Sequence, residues 1–163
     1  MRSSIAVGSA AVVAMLAQTT VFPWVPHLPL VPDLLVVLVV YLGLRHQGLG
    51  GACGAFLIGY FLDTFSGTTL GVNAFGMTAV YAGVTVVARS LWIEGGVPAM
   101  IVVFGGALAR DLIGVAVAAL VAARPPMWAH VLTHGLVAAL VAALVAPAIF
   151  AIVGWEKRVL GVA

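Results

Sequence analysis

Six apolar runs follow one another along the chain, separated by short stretches rich in proline, glycine or charge. Their approximate bounds are residues 4–22, 28–44, 50–66, 70–88, 97–123 and 127–153. A transmembrane helix needs about 20 mostly apolar residues, and Pro, Gly and polar residues mark the connections between helices. We therefore predict an all-α integral membrane protein in which residues 1–163 form a single transmembrane domain of six helices.

The composition favours a lipid environment over water. Hydrophobic residues make up 64% of the chain and charged residues only 7%, whereas a soluble domain carries roughly 25% charged residues. The net charge is +2, but the cations are scattered singly and form no basic stripe. No nucleic-acid partner is therefore predicted; the partner implied by composition is the lipid bilayer.

The distribution of cations predicts that both termini are cytoplasmic. With the amino terminus inside, only Arg124 lies outside. Five cations then lie inside: Arg2, Arg45, Arg89, Lys157 and Arg158. This arrangement satisfies the positive-inside rule, and the inverted one violates it. The four tryptophans lie near predicted span ends, where indole rings anchor at the interface.

Ionisable residues inside spans are costly and need a partner or a purpose. A rise of 1.5 Å per residue places several polar residues roughly 20 Å above the inner surface, namely Gln18, Asp63, Arg110 with its neighbour Asp111, and His134. Asp33 and Asn73 lie slightly above them, at the outer mouth. The polar groups thus gather in the outer half of the membrane.

Two interpretations of this polar layer stay open. In the structural one, Arg110 forms an ion pair with Asp63 or Asp111, and Gln18 and the histidines complete hydrogen bonds inside the bundle. In the functional one, the layer is a pocket or docking groove open to the outside. Adjacent helical residues project about 100° apart, which favours pairing of Arg110 with another helix.

Small residues at four-residue intervals indicate close helix packing. One such row in the third helix is Gly51, Ala55 and Gly59, which leads to Asp63 on nearly the same side. The first helix carries a similar row, Ala6, Ala10 and Ala14. Because the glycine row lies beside a charged residue, we predict that the third helix is the centre of the bundle.

Catalytic chemistry has no support in the sequence. The chain contains no phosphate-binding loop or dinucleotide fingerprint and no nucleophile elbow, so we predict neither an enzyme nor a cofactor. His130 and His134 share a helix face, but no further Cys or His cluster completes a metal site. Cys53 has no disulfide partner.

The segment from Gly54 to Asn73, GAFLIGYFLDTFSGTTLGVN, closely resembles the signature of the MreD family of bacterial rod shape-determining membrane proteins. That signature is a glycine-rich third helix ending in Asp63, a Ser-Gly turn, and a Leu-Gly pair opening the fourth helix. Pro32-Asp33 and Asp111 agree with the family, as does the closing run from His134 through Pro147 to the basic tail. Arg110 is not part of the resemblance.

The resemblance implies a non-enzymatic subunit of the rod complex, or elongasome, in the bacterial cytoplasmic (inner) membrane. Such a multi-pass subunit supports lateral peptidoglycan synthesis, cell wall biogenesis and maintenance of rod shape. Its implied partner is MreC, a single-span protein with a large external domain. Through MreC it connects with MreB, RodA and a class B penicillin-binding protein. A groove rimmed by Asp33, Asp63 and Asn73 would hold MreC, and a homo-oligomer is compatible with the sequence.

A second interpretation belongs to another class of protein. The six-span plan, the outward polar layer and the alanine row of the first helix also resemble the S-component fold of energy-coupling factor transporters. Such a protein binds a vitamin or metal in an outward pocket and docks an ATP-driven module through small residues of helix one. Co-purification with MreC would favour the first interpretation, and binding of a vitamin the second. A bare lipid-interacting scaffold is a third.

Overall fold

Five helices make up the part of the chain that the computed structural model describes, residues 33–66, 71–90, 96–122 and 135–159. In chain order they are α1 (Leu34–Arg45), α2 (Leu49–Ser66), α3 (Val72–Ser90), α4 (Gly96–Ala122) and α5 (Leu136–Val159). They overlap the second to sixth apolar runs, and these ranges contain no strand. The all-helical prediction is confirmed there. The first run lies outside the described residues, and six spans and their orientation stay predictions.

Helix α1 is the centre of the described bundle, and it packs against each of the other four helices. Its residues 35–43 are all buried, as expected for a helix that is apolar on every side. The prediction that the third helix is central was wrong for the described residues. That helix, α2, turns the bulky aromatic rings of Phe56 and Phe61 outward, whereas the compact valines of α1 allow neighbours on all sides.

Asp33 fixes where α1 begins. Its Oδ1 accepts a hydrogen bond from the backbone N–H of Val36 at 3.2 Å, which is the usual contact of an N-cap aspartate. The twelve residues of α1 extend about 18 Å at the α-helical rise. The predicted second span starts at residue 28, and residues 28–32 lie outside the described part of the chain.

Helices α2 and α3 form the most extensive helix pair of the described bundle. At one end of this pair, the Tyr81 hydroxyl of α3 fastens the turn that leads into α2. It accepts from the Gly48 N–H at 2.9 Å, and its single proton has two acceptors within reach, the carbonyl oxygens of His46 and Gly48, each at 2.9 Å. The turn can approach α3 because Gly51 has no Cβ, which would lie 2.5 Å from this hydroxyl.

We expect Tyr81→Phe to lower the free energy of unfolding by about 1 kcal/mol, because it removes the hydrogen-bond partner of partly buried backbone groups of the turn. The midpoint of thermal unfolding of the detergent-solubilised protein measures this. Tyr60→Phe is the matched control, since Tyr60 is exposed, and it should change stability by less than about 0.5 kcal/mol. Equal effects of the two substitutions would contradict the proposed fastening of the turn.

Helices α4 and α5 pack against each other and contain the longest apolar segments of the described chain. Gly96–Val117 and Leu136–Trp155 are long and apolar enough to cross a membrane, by length and composition. Only 17% and 28% of their most apolar windows are buried in the protein. Such exposed apolar surface is compatible with contact with lipid and unlike the buried core helix of a soluble domain.

Candidate functional site

The Asp63 carboxylate lies in the last turn of α2 and closes the amino-terminal end of α3. Oδ2 accepts from the backbone N–H groups of Gly71 at 2.9 Å and Ala74 at 3.1 Å. Oδ1 accepts from the backbone N–H and the side-chain amide of Asn73, each at 3.0 Å. Asp63 is only 2% exposed. A buried carboxylate therefore binds four N–H donors at the start of the next helix.

The local sequence explains why α3 takes its cap from another helix. The first N–H groups of an α-helix have no partner within that helix. Gly71 precedes α3 and has no side chain that could accept from them, and its φ of +98° is one that glycine adopts readily. Asp63 supplies the missing acceptor, and its negative charge lies at the positive end of the helix dipole.

The small-residue row of α2 lies on the side that contacts α3. A Cβ at Gly59 would lie 2.5 Å from both the Cα of Ala74 and the carbonyl oxygen of Asn73, and Ala55 is completely buried. The backbones of the two helices therefore touch next to the cap. This close approach brings Asp63 within hydrogen-bonding distance of the α3 terminus.

Asn73 links the cap to a charged group on α4. Its Oδ1 accepts from Nη2 of Arg110 at 3.0 Å, while its Nδ2 donates to Asp63. Arg110 lies against α3 at Gly76, where a Cβ would be 3.9 Å from the Arg110 Cγ. The amide of Asn73 thus connects a buried carboxylate with a guanidinium group.

The closest ion pair of Arg110 is with Asp33. Nη1 is 2.9 Å from Oδ2 of Asp33 and 3.5 Å from Oδ1 of Asp111. The sequence suggested Asp63 or Asp111 as the partner; the contact with Asp63 runs through Asn73, and the one with Asp111 is the longer of the two ion pairs. Asp33 caps α1 with one oxygen and binds Arg110 with the other.

These contacts join four helices at one level. We call Asp33, Asp63, Asn73, Arg110 and Asp111 the polar cluster. It connects the first residues of α1 and α3, the last turn of α2 and the middle of α4. It contains three carboxylates and one guanidinium group, and the negative charge of Asp63 is offset by the positive end of the α3 helix dipole. Asp33 and Asp111 share the single cation, so the described cluster has a formal acidic excess.

The cluster has a closed base and an accessible rim. Asp63 forms the base. The side chains of Arg110, Asp33 and Asp111 are 24%, 22% and 28% exposed, and they form the rim. Nε of Arg110 is buried and has no hydrogen-bond partner within the described ranges. The base has a structural role in α3, whereas the rim can still meet another molecule.

A double-mutant cycle tests the main ion pair of the rim. Asp33→Asn keeps a side-chain acceptor for the α1 cap but removes the charge, and Arg110→Met removes the guanidinium group. We expect a coupling energy of about 1–2 kcal/mol between these two substitutions in the free energy of unfolding. The cycle of Arg110→Met with Asp111→Asn should give less than about 0.5 kcal/mol. Equal coupling in both cycles would contradict this assignment.

Several predicted site residues lie outside the described part of the chain. They are His134 and the row Ala6, Ala10 and Ala14, together with Gln18 and His130. No group of three or more His, Cys, Asp or Glu residues that could hold a metal occurs within the described ranges. Sequence reasoning missed Tyr81, and a lone tyrosine amid apolar residues carries no signal that its hydroxyl fastens a turn 33 residues away.

Comparison with known proteins identifies the family. The model of the family described as "rod shape-determining protein MreD" matches residues 3–153. Neither a curated protein nor a solved structure matches the chain significantly. The family match covers nearly all of the chain and includes every residue of the polar cluster. The chain therefore belongs to the MreD family of rod shape-determining membrane proteins.

Proposed function

We propose that the protein is a non-enzymatic subunit of the rod complex in the bacterial inner membrane. In this role it binds MreC and supports lateral peptidoglycan synthesis. The observation that carries the proposal is the family match over residues 3–153. The rim of the polar cluster supports it, because charged side chains are rare in this chain and those of the rim are only partly buried.

The rim offers a binding position for polar groups of MreC. Asp33 and Asp111 provide more negative charge than Arg110 balances among the described residues. A basic or donor group of a partner would be attracted there, and little water competes for it near a membrane. Asp63 is enclosed, so it supports this rim through α3 rather than contacting a partner.

The outer side of α2 offers a second, apolar position. Exposed aromatic rings form two pairs there, one on each flank of the exposed face of the helix, about 140° apart around its axis. Phe56 and Tyr60 are stacked with ring centroids 6.3 Å apart, and Phe61 and Phe65 are 5.4 Å apart. Aromatic side chains contribute large contact areas at interfaces. We call Phe56, Tyr60, Phe61 and Phe65 the aromatic strip, and we propose that it packs against the single transmembrane span of MreC while the rim binds polar groups of MreC.

In this proposal, MreC connects the protein with the other members of the rod complex. MreB, RodA and a class B penicillin-binding protein would be reached through MreC, without contacts of their own on the polar cluster. A multi-pass arrangement with both termini inside would put the rim on the outer side, where the MreC domain is expected. Binding of a vitamin by the purified chain, without MreC, would instead favour the S-component alternative.

Two substitutions separate binding of MreC from folding. Asp111→Asn changes the rim but leaves the 2.9 Å Arg110–Asp33 ion pair, and Phe61→Ala shortens an exposed ring of the strip. We expect each to lower the amount of MreC that co-purifies by about fivefold, since a residue at the centre of an interface contributes about 1 kcal/mol or more. Thermal stability should stay near that of the wild type.

Two control substitutions lie away from the proposed MreC surface, one at the end of the bundle opposite the polar cluster and one on a different helix from the aromatic strip. Arg89→Gln changes an exposed cation at the far end of α3, and Leu140→Ala shortens an exposed apolar side chain of α5. Both should leave the recovery of MreC unchanged. Unchanged recovery with both Asp111→Asn and Phe61→Ala would exclude the proposed surface. Failure of the wild-type chain to retain MreC would contradict the proposal that MreC is the partner.

A further inference from the structure

A cleft lies at the end of the bundle opposite the polar cluster, between the last turn of α1 and the carboxyl-terminal half of α5. Its volume is about 680 Å³, within the range of roughly 300–1,000 Å³ that small-molecule sites occupy. Arg45 and His46 line one side, and Phe150 and Trp155 the other. The proposed MreC surface includes none of these residues.

The walls of the cleft are apolar and its mouth is basic. The Tyr41 ring meets Phe150 edge to face, with ring centroids 5.2 Å apart. Ala151, with a small side chain, and Gly154, with none, line the cleft, and a Cβ at Gly154 would meet no atom within 4 Å. Small residues on α5 therefore leave a space between aromatic groups that a flexible apolar chain could enter.

Arg45 is a cation without a carboxylate partner among the side chains that the structure describes. The ion pairs within those residues all belong to Arg110, and Arg45 is exposed in the last turn of α1. The mouth of the cleft thus attracts an anion.

The position of the cleft in a membrane narrows the choice of ligand. Arg45 ends the apolar helix α1, and Trp155 ends the apolar segment Leu136–Trp155 of α5. Tryptophan and arginine at such ends lie at the level of lipid headgroups. A ligand there would have its charged part beside Arg45 and its apolar part between the aromatic rings. Basic pockets between transmembrane helices bind anionic lipid headgroups in this way.

We propose that this cleft binds one anionic glycerophospholipid. Its phosphate lies at Arg45 and His46, and the glycerol and the first acyl carbons lie between Phe150 and Trp155. The lipid fills the space between α1 and α5, so bound lipid stabilises the contact of the central helix with α5. This role is independent of MreC and of the polar cluster.

Lipid binding by the full-length chain in a neutral detergent tests the proposal. The probes are phosphatidylglycerol, phosphatidylethanolamine and inorganic phosphate, and the readouts are lipid retained in native mass spectrometry and the shift of the thermal midpoint. The wild-type chain should retain phosphatidylglycerol in preference to phosphatidylethanolamine. Arg45→Gln should weaken phosphatidylglycerol binding about fivefold, the effect of one basic residue near an anionic surface.

Two further variants make the outcome decisive. Gly154→Leu fills the cleft without changing charge and should weaken binding of phosphatidylglycerol even if Arg45→Gln does not fold. Arg89→Gln removes a cation from the same end of the bundle but outside the cleft, and it should bind like the wild type. Equal retention of both lipids by the wild type, equal loss in Arg89→Gln, or full protection by inorganic phosphate alone would overturn the proposal.

Discussion

Asp63→Leu is expected to cause a large loss of stability. The free energy of unfolding should fall by about 3 kcal/mol or more, because one buried and three partly buried N–H donors lose a charged acceptor, and a fully buried unpaired donor alone costs about 1–3 kcal/mol. Four donors lose their partner at once: the backbone N–H groups of Gly71, Asn73 and Ala74 and the Asn73 amide. The midpoint of unfolding in detergent measures the loss.

Asp63→Asn and Thr64→Ala are the matched comparisons. The asparagine keeps one acceptor oxygen but loses the charge at the α3 terminus, so it should lie between the leucine variant and the wild type. Thr64 is exposed, and its hydroxyl donates to the Phe61 carbonyl oxygen in its own helix. Thr64→Ala should therefore change stability by less than about 0.5 kcal/mol. Similar stability of all three variants would show that the cap contributes little.

The same leucine variant should also lower the recovery of MreC, for an indirect reason. Without the cap, the Asn73 side chain loses its contact with residue 63. Because Oδ1 of Asn73 also accepts a hydrogen bond from Arg110, the side chains of the rim would no longer be held in position. This effect should scale with the loss of thermal stability. Reduced recovery of MreC by a fully stable Asp63→Leu protein would mean that the carboxylate contacts the partner, contrary to its enclosed position.

Gly59→Val is expected to have the second large effect. A Cβ at this position would lie 2.5 Å from the Ala74 Cα and from the Asn73 carbonyl oxygen, and 2.8 Å from the Ala74 nitrogen. These are backbone atoms, which cannot rotate away as a side chain can. Helices α2 and α3 would have to separate beside the cap. We expect a loss of about 3 kcal/mol, the upper part of the usual range for overpacked sites.

Gly83→Val and Gly59→Ala complete this series. A Cβ at Gly83 meets no atom within 4 Å, and Gly83 is exposed in α3. Its replacement should change stability by less than about 1 kcal/mol. Gly59→Ala should already be destabilising, because the first carbon causes the clash. Equal stability of the Gly59 and Gly83 variants would show that α2 and α3 do not approach as closely as described.

The sequence predicted the helices and the level of the polar groups from local information. Each apolar run has its own length and bounding residues, and the described helices follow from them. The depth of Asp63 and Arg110 needed only the rise per residue. Asp33 and Asn73 were placed close to that depth, and the structure brings all four together. The depth of a polar residue in the bundle therefore follows from its position along its helix.

The pairing within that level could not be predicted from the same information. Arg110 has Asp33 as its closest ion pair and reaches Asp63 through Asn73. The choice depends on how α1, α3 and α4 are rotated about their axes and how closely they approach. Those quantities depend on contacts between distant segments, and an apolar helix in lipid shows little amphipathic pattern from which to infer its rotation.

The sequence by itself determined the helical class, the likeness to a membrane family and the shared level of Asp63 and Arg110, because these depend on composition, run length, a contiguous motif and position along a helix. Only the tertiary structure decided that α1 is central, that Asp63 caps α3, and that Arg110 binds Asp33. Each of these depends on which faces of separate helices meet. That outcome is set by packing of side chains and backbones across the whole bundle, which no single segment encodes.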